Sequence, residues 1–284
     1  MIHYFGAHFD SSCNSLIESA EKIKSAGGNL IQIFLTCPGT KKTQERTINE
    51  LTKFKNYLIN NDMKVVVHSS FLHNIGRKWD NYSYWITNII LEIQYSHMIG
   101  AICLVLHLGK KLELSLQETY NNMYTALLYI HNNTKQYEDV VIALETSSGQ
   151  GTEVATTLDE LSYFYNKFAT NPLQSFRHRI KICLDTCHIF QAGMDKFENK
   201  NDVKKFLKEW DNKIGIANIK LVHLNNCQYE FKSHRDVHAN ILIGHINENA
   251  LKHFYKFFRK NGVPIVLETP NYGYKSEIKM LKKQ

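Results

Sequence analysis

"VVIALETSSGQGTEVA", residues 140–155, holds an apolar run that stops at Glu145 and gives way at once to a polar, glycine-containing turn. Five apolar or small residues in succession, 140–144, read as a strand buried on both faces. A carboxylate is the side chain least willing to be buried alone. Its place here has two readings: Glu145 marks where the strand meets water, or it points into a site that supplies a positive partner. One strand end does not decide between them, but a series does.

The same pattern recurs along the chain. Short apolar runs at 2–8, 30–34, 64–68, 102–107, 140–145, 180–185, 219–223 and 264–268 alternate with amphipathic stretches. Residues 15–28 carry Leu16, Ile17, Ala20 and Ile23 ahead of a glycine stop, and 49–61 repeat at Leu51, Phe54 and Leu58. Residues 115–133 and 157–169 behave alike, the latter with Thr157 and Glu160 spaced as a capping box. Eight strands, each followed by a helical pattern with no linker or repeat boundary, predict an α/β fold: a TIM (β/α)₈ barrel, a single domain over 1–284. A doubly wound open sheet is the alternative, weakened because no GxGxxG follows the first strand.

After the first run, which ends on His8, six of the remaining seven finish on a histidine or a carboxylate: His68, His107, Glu145, Asp185, His223 and Glu268. In a barrel these ends share one rim, the face where catalytic groups sit. Two further segments add to them. "CLDTCH" places His188 three residues past Asp185, and "RDVH" places Asp236 and His238 two apart, on one face of an extended segment. Histidine with Asp and Glu is the donor mix of Zn²⁺, and of Mn²⁺ or Fe²⁺ at mixed sites. Nine such residues exceed one tetrahedral ion and suit three, provided one carboxylate bridges two of them. His8, at the end of the first strand, is expected to line the pocket, and Cys187 to pack rather than ligate.

Composition narrows the class of partner. Of 284 residues 43% are hydrophobic, enough for a large core, and 34 Lys+Arg against 27 Asp+Glu leave a formal charge of +7, which suits an anion such as nucleic acid. Basic residues crowd the expected rim loops, Arg46 and Lys110 among them. The six cysteines show no CxxC spacing, and the opening "MIHYFGAHFD" lacks the basic and long apolar regions of a secretory signal. No apolar run approaches a membrane span. An intracellular, reducing compartment (cytoplasm or nucleus), no secretion, no membrane and a monomer are therefore expected.

The motifs "HSSFLHNIG" (68–76), "LETSSGQGTEVA" (144–155), "CLDTCH" (183–188) and "HLNN…RDVH" (223–238) together resemble the endonuclease IV family of apurinic/apyrimidinic endonucleases. The resemblance runs from "GAH" at 6–8 to "LETP" at 267–270 and includes the thirteen-residue step from His223 to Asp236. It implies a TIM barrel with three Zn²⁺ per chain, Mn²⁺ or Fe²⁺ being open at part of the cluster. His68, His107 and Glu145 would hold the first ion. Glu145, Asp185, His223 and Glu268 would hold the second, with Glu145 as the catalytic bridge. His188, Asp236 and His238 would hold the third.

The implied reaction is hydrolysis of the phosphodiester 5′ to an abasic site in double-stranded DNA, leaving a 3′-hydroxyl and a 5′-deoxyribose phosphate. Trimming of blocked 3′ ends in base excision repair goes with it. Phe71 and Leu72 would wedge into the base stack, and Lys41, Lys42 and Arg235 would meet the DNA. The chain departs from the family pattern at Gly39, where an arginine is usual, and at Asn226 and Val237. Two rivals remain: a two-metal sugar isomerase on the same barrel, and a DNA-binding barrel that has lost catalysis.

Overall fold

The computed structural model describes residues 2–9, 15–36, 39 and 45–284. Lys41 and Lys42 lie outside the described residues. Eight parallel strands close into a barrel: β1 (Phe5–His8), β2 (Leu30–Phe34), β3 (Lys64–His68), β4 (Cys103–His107), β5 (Val141–Glu145), β6 (Ile180–Asp185), β7 (Ile219–His223) and β10 (Ile265–Leu267). Between β7 and β10 a two-residue ladder joins β8 (Asn226–Cys227) and β9 (His238–Ala239). The barrel predicted from alternating apolar runs is the one observed, and β1 pairing with both β2 and β10 excludes the open sheet.

Helices α1 (Leu16–Ser25), α2 (Ile48–Asn60), α3 (Tyr84–Ile99), α4 (Leu116–Asn133), α5 (Leu158–Ala169), α6 (Gln174–Arg179), α7 (Thr186–Ala192), α8 (Lys200–Lys213), α9 (Glu248–Lys260) and α10 (Tyr274–Lys282) complete the fold. Reciprocal capping boxes start α1 at Ser15 and Glu18, and α4 at Ser115 and Glu118. The box expected at Thr157 is split. Thr157 accepts from Glu160 N at 3.2 Å, but the Glu160 carboxylate accepts instead from Thr156 N at 3.0 Å. The helix-side amide is capped where the spacing predicts, while the returning carboxylate takes the amide one residue earlier.

Two apolar layers follow from strand alternation. Leu30, Val66, Cys103, Val105, Ala143, Cys183, Leu221 and Val266 fill the barrel interior, while outward residues such as Ile31, Val65, Leu104 and Ile142 pack beneath the helices. Among the described residues no helix is long and apolar enough to cross a membrane.

Closure depends on a close approach at Gly6. A Cβ there would lie 1.7 Å from the Leu30 carbonyl oxygen, inside the β1–β2 ladder. Neither strand can yield without breaking the ring. Gly6→Ala is therefore expected to destabilise the protein by more than about 3 kcal/mol, at or beyond the upper end of overpacking costs. Urea unfolding against wild type measures it, and a cost below about 1 kcal/mol would mean the barrel opens at this seam without strain.

Candidate metal centre

Strand register carries the acidic and imidazole side chains to one rim. His107 lies opposite Glu145 across β4 and β5, and Asp185 opposite His223 across β6 and β7. Glu268 follows β10 by one residue, and β9 begins at His238. Asp185 has a second task as the N-cap of α7. Its Oδ1 accepts from His188 N at 2.8 Å, which fixes where His188 stands. The local logic of "DTCH" is thus a strand end, a cap and a ring at the third helical position.

All nine side chains singled out in the sequence are brought together. Glu145 is the hub: Oε2 lies 3.2 Å from His68 Nε2 and 3.3 Å from His107 Nε2, and Oε1 lies 2.7 Å from His223 Nδ1. His223 Nδ1 is also 3.0 Å from Glu268 Oε2 and 3.8 Å from Asp185 Oδ2. On the far side Asp236 Oδ1 lies 3.0 Å from His188 Nε2 and 3.3 Å from His238 Nε2.

The hydrogen bonds behind the rings show what belongs between them. His68 Nδ1 donates to Ser69 O at 2.7 Å, His188 Nδ1 to Thr146 O at 2.6 Å, and His238 Nδ1 to Glu268 O at 3.2 Å. In its neutral form each ring then turns an Nε2 lone pair toward a carboxylate oxygen. Lone pair against lone pair at about 3 Å is repulsive unless the ring takes a second proton or a cation lies between. His188 Nε2 is buried and, despite its 3.0 Å approach to Asp236, is not aligned for any hydrogen bond. Tetrahedral bonds of about 2.0 Å put neighbouring ligand atoms about 3.3 Å apart, which matches these separations. His68, His107 and Glu145 on one side, and His188, Asp236 and His238 on the other, could each hold an ion.

Two residues that sequence reasoning passed over hold this arrangement. Gln32, on β2, accepts from His223 Nε2 at 2.8 Å and donates to Glu268 Oε1 at 2.6 Å and to His8 Nδ1 at 3.2 Å. His8 thereby reaches the edge of the cluster, as expected. Asn225 donates to Asp185 Oδ2 at 2.6 Å and to Glu268 Oε2 at 3.2 Å. A polar residue inside the apolar run "LIQIF" was the available signal for Gln32. Asn225 stood unremarked within "HLNN". The Cys183 thiol also lies with Glu145 and His223, whereas Cys187 is buried against Cys227.

Burial and facing charge oppose each other throughout. Burial would raise Glu145, but His223 and His107 hold its carboxyl well below the usual range. Burial would likewise raise Asp236, but His188 overcomes it. For His188 burial is outweighed by Asp185 and Asp236, and the ring is raised well above its ordinary value. His238 is pushed up to about 9 against its burial by the hydrogen bond to Asp236 and the charge of Asp185. These rings recruit positive charge strongly, as protons or as a metal.

The family model described as xylose isomerase-like TIM barrel matches residues 20–284. A "Probable endonuclease 4" of Mycoplasmopsis agalactiae is 33% identical over 287 residues, covering 97% of this chain and 96% of that protein. The chain belongs to the endonuclease IV family. A second "Probable endonuclease 4", of Geobacillus kaustophilus, is 31% identical over 296 residues, 98% of this chain and 94% of that one. The crystal structure of endonuclease IV from Thermus thermophilus shares the fold, with a TM-score of 0.80 at 21% identity over 99% of both chains.

For this endonuclease IV family member the outer rim is less uniform than its charge suggests. Phe71 is 58% exposed and, with Leu72, His107 and Asp236, lines a cavity of about 360 Å³ beside the cluster. Arg235 is exposed, its guanidinium 4.7 Å from the centre of the Tyr229 ring. Arg46 is not a free rim cation. Its side chain is 7% exposed and bonds Leu35 O, just past β2, at 3.1 Å and Glu50 of α2 at 2.7 Å. Asn226, where the family pattern has Asp, uses both amide hydrogens on Ile241 O and Ile246 O, so here it braces the segment before α9.

Behind the Phe71 loop sits a fully buried carboxyl. Glu92, on α3, accepts from Thr36 Oγ1 and Ser69 Oγ, both at 2.5 Å. Burial pushes it up to about 7, the two hydroxyls and nearby groups pulling the other way. A carboxyl raised in the folded state contributes stability below its unfolded pKa and loses it as pH rises through the folded value. Relative to Glu92→Gln, the wild type is expected to lose on the order of 3 kcal/mol between pH 5 and pH 8. Urea unfolding at the two pH values tests this; a pH-independent difference would mean that the carboxyl is ionised throughout.

Proposed function

We propose that this member of the endonuclease IV family is a zinc-dependent DNA repair endonuclease. It would hydrolyse the phosphodiester 5′ to an abasic site in duplex DNA, leaving a 3′-hydroxyl and a 5′-deoxyribose phosphate, and trim blocked 3′ ends. The observation that carries this reading is the convergence of five imidazoles and four carboxylates at separations suited to shared cations. His68, His107 and Glu145 are assigned to one ion, Glu145, Asp185, His223 and Glu268 to a second, and His188, Asp236 and His238 to a third.

Zinc held by these residues would supply Lewis acidity toward a phosphodiester and toward the attacking water, and Mn²⁺ or Fe²⁺ could serve at part of the cluster. The four carboxylates, Glu145 and Asp185 buried and Asp236 and Glu268 half-buried, would offset part of the charge of three divalent ions, and the surplus would favour a phosphodiester anion over a neutral sugar. That surplus, with the histidine-rich donor set and the relatives' names, favours the nuclease over a sugar isomerase.

The chain's own residues do the remaining work. Glu145 would belong to both the first and the second ion sets, its two oxygens turned to His68 and His107 and to His223. Gln32 orients His223 and Glu268 through the far nitrogen and the far oxygen, and Asn225 donates to the histidine-facing oxygens of Asp185 and Glu268. Phe71, exposed, and Leu72 beside it on the cavity that also meets His107 and Asp236, would enter the base stack and close the gap left by an extruded nucleotide. An abasic nucleotide is the cheapest to extrude, since it has no base to unpair or unstack. Arg235 stands on the segment that carries Asp236 and supplies charge toward the backbone phosphates.

Incision of a duplex carrying one tetrahydrofuran abasic analogue, with metal analysis of the same preparation, tests the whole reading. Cleavage to a 3′-hydroxyl with three zinc per chain is expected. A fully metallated protein that leaves the strand intact yet turns over a ketose would replace it with the isomerase, and DNA binding without metal would indicate the inactive barrel.

Glu145→Ala should lower the incision rate at least about 1000-fold, a loss of about 4 kcal/mol in transition-state stabilisation. Near-wild-type turnover would overturn the ligand assignment. Phe71→Ala should weaken binding of abasic duplex more than of intact duplex by gel shift, and an equal loss on both would make Phe71 a packing residue.

A further inference from the structure

The loop after β5 contains a feature that no ligand assignment uses. Glu153 Oε2 accepts from three successive backbone amides, Ser148 N at 3.1 Å, Gly149 N at 3.0 Å and Gln150 N at 3.1 Å, and from Ser148 Oγ at 2.9 Å. Successive amides turned toward one point form an anion-binding concavity. Here the anion is the loop's own carboxylate, only 11% exposed. Gly149 at φ 84° and Gly151 at φ 65° supply the left-handed backbone that the curl requires.

The loop is anchored on one side and presses on the other. Lys111 N donates to Thr152 O at 2.9 Å and Val154 N to Gly109 O at 3.3 Å, tying it to the segment after β4. On the opposite side Gln150 Oε1 accepts from Asp236 N at 3.2 Å. A Cβ on Gly149 would stand 2.4 Å from His234 Nδ1, so the excursion between β8 and β9 packs directly on the curl. Asp236 is the carboxylate that faces both His188 and His238.

We propose that Glu153 is a positioning residue for the third ion set: by gathering the amides of Ser148, Gly149 and Gln150 it aims the Gln150 side chain at the Asp236 backbone and so sets the Asp236 carboxylate. This rests on Asp236 being a ligand, as read above. The earlier part of the excursion is held by α7, through Lys232 N on Phe190 O at 3.2 Å, His234 N on Gln191 O at 3.3 Å and Gln191 Nε2 on Tyr229 O at 3.2 Å, whereas the Asp236 amide bonds Gln150. Lys232 and His234 stand at positive φ, and Asp236 lies in no regular element. Removing the Glu153 carboxylate takes away the acceptor of the Ser148 and Gly149 amides and the Ser148 hydroxyl and leaves Gln150 N only Ser148 Oγ at 3.3 Å, and the curl relaxes toward water.

Amide hydrogen exchange on the chelator-treated, metal-free chain isolates the effect from activity. Glu153→Ala should speed exchange at Ser148, Gly149 and Gln150 and also at Asp236, although Gln150 is unaltered. Gln150→Ala should speed exchange at Asp236 alone. In the zinc-loaded protein both variants should hold one ion of the three roughly 10- to 100-fold more weakly, the usual effect of disturbing a ligand's supporting partner, and lower kcat more than they change KM.

Unchanged Asp236 exchange and unchanged zinc affinity in Glu153→Ala would reduce Glu153 to loop support and overturn the proposal. Should that variant fail to fold, Gln150→Ala decides on the same two readouts. A wild-type chain that binds no metal would sink the nuclease reading, while the exchange data would still report whether Glu153 sets the backbone at Asp236.

Discussion

The two oxygens of Glu145, 1% exposed, face three imidazole nitrogens within 3.3 Å, and the site depends on making that burial tolerable. An isolated carboxylate at this depth would take up a proton. Surrounded by His68, His107 and His223 it remains an acceptor on both oxygens, and each ring in turn needs a polar group at its back. Ser69 O and Gln32 supply two of these. The demand propagates outward, from carboxylate to imidazole to backbone carbonyl or amide, until it reaches strands that cannot shift.

Those strands are immobile because the sheet is closed. A parallel barrel has no edge at which register can slip, and a slip of one residue would turn Glu145 or His107 away from the cluster. The Gly6–Leu30 approach illustrates the tolerance: the ring closes with no room for a methyl group. Apolar packing inside and outside the strands supplies the driving force, while closure supplies the precision with which nine side chains arrive together.

Above the rim, carboxylates do a second kind of work. Glu92 gathers Thr36 and Ser69, Glu153 gathers the amides of 148–150, and Glu277 on α10 accepts from Thr269 Oγ1 and Ile241 N, both at 2.6 Å. Each joins segments that follow different strands, or curls one of them, and each lies beside a segment bearing a cluster residue: His68, Asp236, and Glu268 with His238. Loops rich in backbone polar groups can sit over a buried site only where such acceptors receive them. The buried and half-buried acids around the rim thus divide into those that face the imidazoles and those that hold the loops.

Much of this was legible in the residues. Runs with strand character ending in His, Asp or Glu declared both the barrel and its polar rim, because strand period and burial are local properties. "DTCH" likewise carried its own geometry, a cap and the ring it places. Other features were not legible. Thr157 and Glu160 have capping-box spacing, yet the carboxylate turns to Thr156. Arg46 reads as a rim cation, and its side chain is buried against Leu35 O and Glu50. Glu92 and Glu153 have no spacing that separates them from the acids on solvated faces.

The sequence by itself determined the alternation of strands and helices, the closed-barrel class and the set of groups that end the strands. These follow from side-chain periodicity and need only neighbours in the chain. Tertiary structure alone decided which partner each group meets. Gln32 binds His223 across 191 positions and Glu268 across 236, and such pairings exist only once the ring has closed.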